Sequence, residues 1–165
     1  MEFIDHAIAW CKGEIFEAKL ILLFGVIVLV SAFFFFKAGT TPSAKAMLYP
    51  ILLVGVMFSA IGGGMLYSNP KRIVEFKKAY VENPKAFVES EKERTDEFIS
   101  WYPKTRYIRT GLGILGVLFF LFWSVPIGRA IGISLIIIML ATFVVDHFSE
   151  ERAEIYHEKI KEALK

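Results

Sequence analysis

The sequence predicts an all-α integral membrane protein with four transmembrane helices arranged as two antiparallel hairpins. Three observations predict it. Segments 20–36, 46–67 and 110–124 contain no charged residue, and 126–145 contains only Arg129. Each approaches or reaches the roughly 20 mostly apolar residues that a helix needs to cross a bilayer. The connections after the first and third segments are short, which turns each following span back beside its predecessor. Finally, 16 of the 19 Lys and Arg lie in the N-terminal arm, the 68–109 segment or the C-terminal tail. Only Lys37, Lys45 and Arg129 lie at the two turns. The positive-inside rule then puts both termini and the 68–107 segment in the cytoplasm, both turns outside, and the protein in the inner (cell) membrane.

Composition bounds the rest. At 165 residues and 55% hydrophobic content, four spans use nearly half the chain, which leaves no room for an independent soluble domain with its own core. Net charge is +2, so no nucleic-acid partner is expected. The lone Cys11 has no partner for an internal disulfide. The start Met1-Glu2-Phe3-Ile4-Asp5 is acidic where a secretory signal is basic. The first span is therefore expected to act as its own insertion signal.

In chain order, the reading is a single membrane domain, 1–165. Its parts are an interfacial helix (1–16), a first hairpin (17–67), a cytoplasmic helical segment (68–107), a second hairpin (108–146) and a cytoplasmic helix (147–165). Phe3, Ala7, Ile8 and Cys11 share one face of an amphipathic helix over 2–11. Trp10 suits an interfacial anchor, and Gly13 separates this helix from the first span. In the turn 38–42, Gly39 ends one helix, Thr41 caps the next, and Pro42 occupies its first position.

The middle segment repeats Asn-Pro-Lys at Asn69 and Asn83, which predicts two consecutive helices over about 70–81 and 84–101. The first is amphipathic through Ile73, Phe76 and Tyr80 and suits a membrane surface. The second differs, since 89–97 contains no apolar residue at all. The pairs Glu89/Lys92, Glu91/Arg94 and Lys92/Asp96 support it, each by about 0.2–0.5 kcal/mol. Trp101, Tyr102 and Tyr107 mark re-entry into the membrane. The fourth span continues unbroken into the C-terminal helix. Trp10 and Trp101 precede spans one and three by similar distances, the pattern of a parallel internal repeat.

Three sets of residues carry candidate chemistry. Gly55, Ser59 and Gly63, with Gly128 and Gly132, place small side chains at four-residue spacing, which lets helix backbones approach closely. Ala130/Ser134 and Gly113/Gly116 add to this set. His147, Glu150, Glu154 and His157 fall on one stripe of the last helix and could ligate a metal. The simpler reading is a solvated face, opposite one bearing Phe148, Ile155, Tyr156 and Ala163. Asp146 sits at the membrane edge, within range of Lys19 or Arg109. No nucleophile motif, phosphate loop or paired Cys ligands appear, so no catalytic residue and no cofactor is expected.

The expected function is therefore that of a non-enzymatic membrane protein. It works through helix–helix assembly, as a homo-oligomer or with a membrane partner, and through cytoplasmic partner or lipid binding. The competing readings are a homo-oligomeric channel or membrane-permeabilising effector, and a metal-dependent membrane enzyme using the His/Glu stripe with His6.

Overall fold

The structure is a computed structural model that describes residues 2–165; Met1, part of the acidic start, lies outside them. The described residues form five helices and no strand. These are α1 (Phe3–Ala38), α2 (Pro42–Glu82), α3 (Pro84–Ile99), α4 (Tyr102–Phe122) and α5 (Pro126–Ala163). Among the described residues, four stretches are long and apolar enough to cross a membrane: one each in α1, α2 and α5, and one over Pro84–Phe122.

Helix length explains the architecture. α1, α2 and α5 have 36, 41 and 38 residues, or about 54, 62 and 57 Å at a rise of about 1.5 Å per residue. A bilayer's hydrocarbon is about 30 Å thick. All three helices therefore project well beyond one face of the spanning region, and α3 packs among the projections. A charged layer results.

Local chemistry sets the ends. The Glu2 backbone N–H donates to the Asp5 carboxylate at 3.2 Å, which secures the first turn of α1. Thr41 Oγ1 accepts from the Ala44 N–H at 3.2 Å, with Pro42 in the first position of α2. Asn83 adopts an extended conformation and its Oδ1 accepts from the Ala86 N–H at 3.1 Å, starting α3.

Helix continuity departs from the expected segmentation. While α5 runs unbroken from Pro126 to Ala163, as expected, Gly13 does not interrupt α1. Nor does Asn69-Pro70 start a new helix, because α2 runs through Pro70. Asn69 is buried, and its side-chain amide donates back to the Met65 carbonyl at 3.1 Å while its Oδ1 accepts from Arg72 at 3.2 Å. Those bonds spend the capping group within the helix. The same tripeptide thus caps at Asn83 and not at Asn69, and tertiary burial makes the difference.

Within the spans, α1 and α2 form one packed pair and α4 and α5 another, joined chiefly by α5 against α1 and α2. The core of the spanning part comprises Ile21, Val28 and Ala32 of α1 with Ile51, Val54 and Phe58 of α2. Ile137, Ile138, Ala141 and Val145 of α5 pack on it. Phe33, Phe34 and Phe36 stay exposed where lipid would lie. α4 makes its principal contacts with α5 alone.

The charged layer has an apolar core of its own, which the length of the chain did not lead us to expect. Phe3, Ala7, Trp10 and Cys11 of α1 meet Phe87 and Val88 of α3 and Tyr156 and Ile160 of α5. Ile73, Phe76 and Tyr80 of α2 pack onto this cluster, so that face is turned into protein and not onto a membrane surface. No separate domain is needed, because extensions of the spanning helices supply most of the walls.

Candidate functional site

The densest chemistry lies in the charged layer. Glu91 of α3 is buried at 3% exposure. Its two carboxylate oxygens accept from Arg94 Nε at 2.8 Å and Nη2 at 2.6 Å. The Tyr156 hydroxyl donates to the same carboxylate at 2.7 Å. The Arg94 guanidinium lies 4.5 Å from the Trp10 ring centre, and Trp10 stacks on Tyr156 at 5.6 Å and on Phe98 at 5.9 Å. Burial alone would lower the Arg94 pKa, but the hydrogen bonds and charge of Glu91 raise it on balance. Burial, and then the Glu91 charge, push the Tyr156 phenol far above its ordinary value, so it remains a donor. Four elements, α1, α2, α3 and α5, meet on this one ion pair.

The polar run 89–97 is thus partly buried, for a physical reason. Glu91 and Thr95 are one turn apart and both buried, Thr95 satisfying its hydroxyl on the Glu91 carbonyl at 2.6 Å. A polar sequence can be buried when every polar group finds a partner. Of the expected pairs, Glu91/Arg94 and Lys92/Asp96 form, the latter at 2.7 Å. Trp10, expected as an interfacial anchor, is instead a core residue, its ring held between aromatic and guanidinium planes.

A second cluster lies nearer the spans. Arg152 of α5 reaches α1, where it bonds Glu14 at 2.8 Å and also Glu17. Gly13 makes this possible, since a Cβ there would lie 2.7 Å from the Arg152 side chain. The glycine read as a separator is a close-approach site. Burial raises the Glu17 pKa, against the opposing pull of Arg152. Nearby, the hydroxyls of Tyr102 and Ser149 share a hydrogen bond at 3.0 Å.

Asp146, expected at a membrane edge, pairs with Arg109 at 2.5 Å, one of the two partners expected for it. One turn on, Arg106 bonds Glu150 at 3.1 Å. His157 lies 3.4 Å from Asp96 of α3. The stripe His147, Glu150, Glu154, His157 is therefore divided among different neighbours: Glu150 serves α4, His157 serves α3, and His147 and Glu154 are exposed. Among the described residues, no three His, Cys, Asp or Glu side chains gather as a metal would need. The buried face of this helix is Ala153, Tyr156 and Ile160, while Phe148, Ile155 and Ala163 are exposed.

The small residues divide similarly. Gly55 lies against Leu29, and Ser59 against Gly25, whose Cβ would stand 2.5 Å from the Ser59 nitrogen. Gly63 meets nothing within 4 Å; its neighbour Gly62 is the close-contact residue, 2.5 Å from the Leu22 nitrogen by the same construction. Gly132 faces Phe120 and Gly116 of α4, and Gly128 lies under Trp123 at the turn.

The spanning part holds one wholly apolar cleft of about 420 Å³, lined by Phe24 of α1, Phe58 of α2 and Ile137, Leu140, Ala141, Val144 and Val145 of α5. Sequence patterning did not indicate Arg152 or Glu17, whose partners lie 135 residues apart. Glu91–Arg94 was visible as a pair, but not as a buried one. No protein-family model, curated protein or solved structure matches this chain.

Proposed function

We propose that this chain is a non-enzymatic multi-pass inner-membrane protein that works by helix–helix association in the bilayer and by partner or lipid contacts of a cytoplasmic helical layer. In this reading α1–α2 and α4–α5 are two antiparallel hairpins. The descending register Leu22–Gly62, Gly25–Ser59 and Leu29–Gly55 supports the first, and the approach of Gly116 to Gly132 supports the second. The concentration of Lys and Arg at the end that carries the charged layer supports a cytoplasmic placement.

The observation that carries the proposal is the open apolar cleft between α1, α2 and α5. Leu140 and Val144 line it and are more than half exposed, at 54% and 53%. In lipid, helices associate by packing and not by escape from water. A preformed concave apolar wall offers that packing to a further span, here one from a second copy or a membrane partner. The charged layer would set the geometry of the hairpins and so hold the cleft open.

The test joins native mass spectrometry in nanodiscs to photo-crosslinking from position 140, with position 117 on α4 as control. The expected result is a dimer or larger particle and a protein–protein crosslink from position 140. A strictly monomeric particle, with position 140 crosslinking only to lipid, would overturn the reading. A closed ring of four or more subunits that passes ions in liposomes would replace it with the channel alternative.

A further inference from the structure

A second groove runs along the other side of α5, where it meets α4. Its upper part has a volume of about 300 Å³ and its lower part about 420 Å³. Both are lined by Thr110 and Met139, so the two adjoin along the helix pair. Each part falls within the size range of ligand pockets, about 300–1,000 Å³. The lower part is lined by Gly113, Ile114, Val117 and Leu118 of α4. From Thr110 to Leu118 it descends about 12 Å at a helical rise of about 1.5 Å per residue. Because α4 packs chiefly on α5, the groove lies open on the bilayer side, with Ile114 57% exposed.

The mouth is polar and carries both signs. Arg106, Arg109, His147 and Glu150 line it, and Asp146 pairs with Arg109 behind it. Two guanidinium groups face two carboxylates, so these four charges cancel. A purely anionic head group would meet as much repulsion as attraction. A head group with both signs would meet neither penalty. Arg106 commits one nitrogen to Glu150, which leaves further N–H donors of its five for a phosphate. Glu150 keeps oxygen lone pairs for an N–H donor. Arg109 and Thr110 mark the step from charged to apolar sequence, the depth at which a lipid's own phosphate lies.

We propose that the α4–α5 groove binds one phospholipid whose head group carries a phosphate and a primary ammonium. The acyl chain lies along Gly113–Leu118 and Met139, the phosphate on Arg106 and Arg109, and the ammonium on Glu150. A quaternary ammonium has no N–H to donate and fits less well. The proposal needs only that the helices span a bilayer; it is separate from occupation of the α1–α2–α5 cleft, and either can fail without the other.

The experiment is native mass spectrometry of the full chain from nanodiscs containing phosphatidylethanolamine, phosphatidylglycerol and phosphatidylcholine in equal parts. The expected result is one retained lipid per chain, phosphatidylethanolamine favoured by about tenfold, the scale of one charge-assisted hydrogen bond. Glu150→Gln, which removes the charge assigned to the ammonium, should abolish the preference. Ile114→Trp should displace the lipid by filling the groove, and it serves even where the Glu150 variant fails to fold. Equal retention of the three lipids, a preference for phosphatidylglycerol, or no change with both variants would overturn the proposal.

Discussion

Replacing Arg94 by methionine is the sharpest test of how the charged layer is held together. Methionine keeps most of the side chain's length over Trp10, Phe76 and Phe98 and removes the charge. In the native layer the pair sits at 2.6 Å, an attraction of about 6 kcal/mol at an effective dielectric of about 20. Desolvating two ions offsets most of that, so the pair's net contribution is small. The variant is not a small change, because Glu91 stays buried with only the Tyr156 hydroxyl to solvate it. Removing one member of a buried pair costs about 3–5 kcal/mol. Loss of the cation–π contact with Trp10 adds about 0.5–2 kcal/mol. The triple variant Glu91→Leu, Arg94→Met, Tyr156→Phe removes the orphaned groups together, and it should recover most of the loss. The assay is unfolding in a fixed mixed micelle by SDS titration, followed by Trp fluorescence. The reasoning is refuted if Arg94→Met costs less than about 1 kcal/mol, or if the triple variant is as unstable as the single one.

Other expectations follow from particular sites. Gly62→Val drives a side chain into the Leu22 backbone and should destabilise the α1–α2 pair by at least about 1–3 kcal/mol. Gly63→Val meets open space and should change stability by no more than about 0.5 kcal/mol; equal effects in thermal melts would contradict the register. Burial pushes the His157 imidazole below its ordinary 6.5, with Lys161 and Lys92 adding to the shift and Asp96 opposing it. The unfolded chain therefore binds the proton at higher pH than the folded one, so stability falls as pH drops through about 6.5. His157→Gln should flatten that part of the pH profile, and an unchanged profile would remove His157 as its source. Cys11 is fully buried and its thiol is pushed up to about 11 by burial. It should resist a water-soluble maleimide in the native protein and react once SDS unfolds the layer; rapid native labelling would show that the aromatic core opens readily.

The spans and their number were legible because hydrocarbon imposes a composition on any helix that crosses it. The Thr41-Pro42 and Asn83-Pro84 starts were legible because capping is a local transaction between a side chain and the next turn. Asp146 with Arg109 was legible because two charges at one membrane boundary have few other partners. Asn69-Pro70 misled because the same capping residue was buried and bonded within its helix. Glu91 and Thr95 misled because local polarity does not report the neighbours that α1 and α5 bring to them.

By itself, then, the sequence determined four helices long and apolar enough to cross a membrane, their turn chemistry and their short-range ion pairs, all consequences of composition, periodicity and local spacing. Only the tertiary structure decided that the helices overrun the spanning region and enclose an aromatic core around one buried ion pair. It also decided that Gly13 admits Arg152 and that Gly62, not Gly63, carries the contact. Those features depend on residues far apart in the chain meeting at distances near 3 Å, and no local pattern encodes which of them meet.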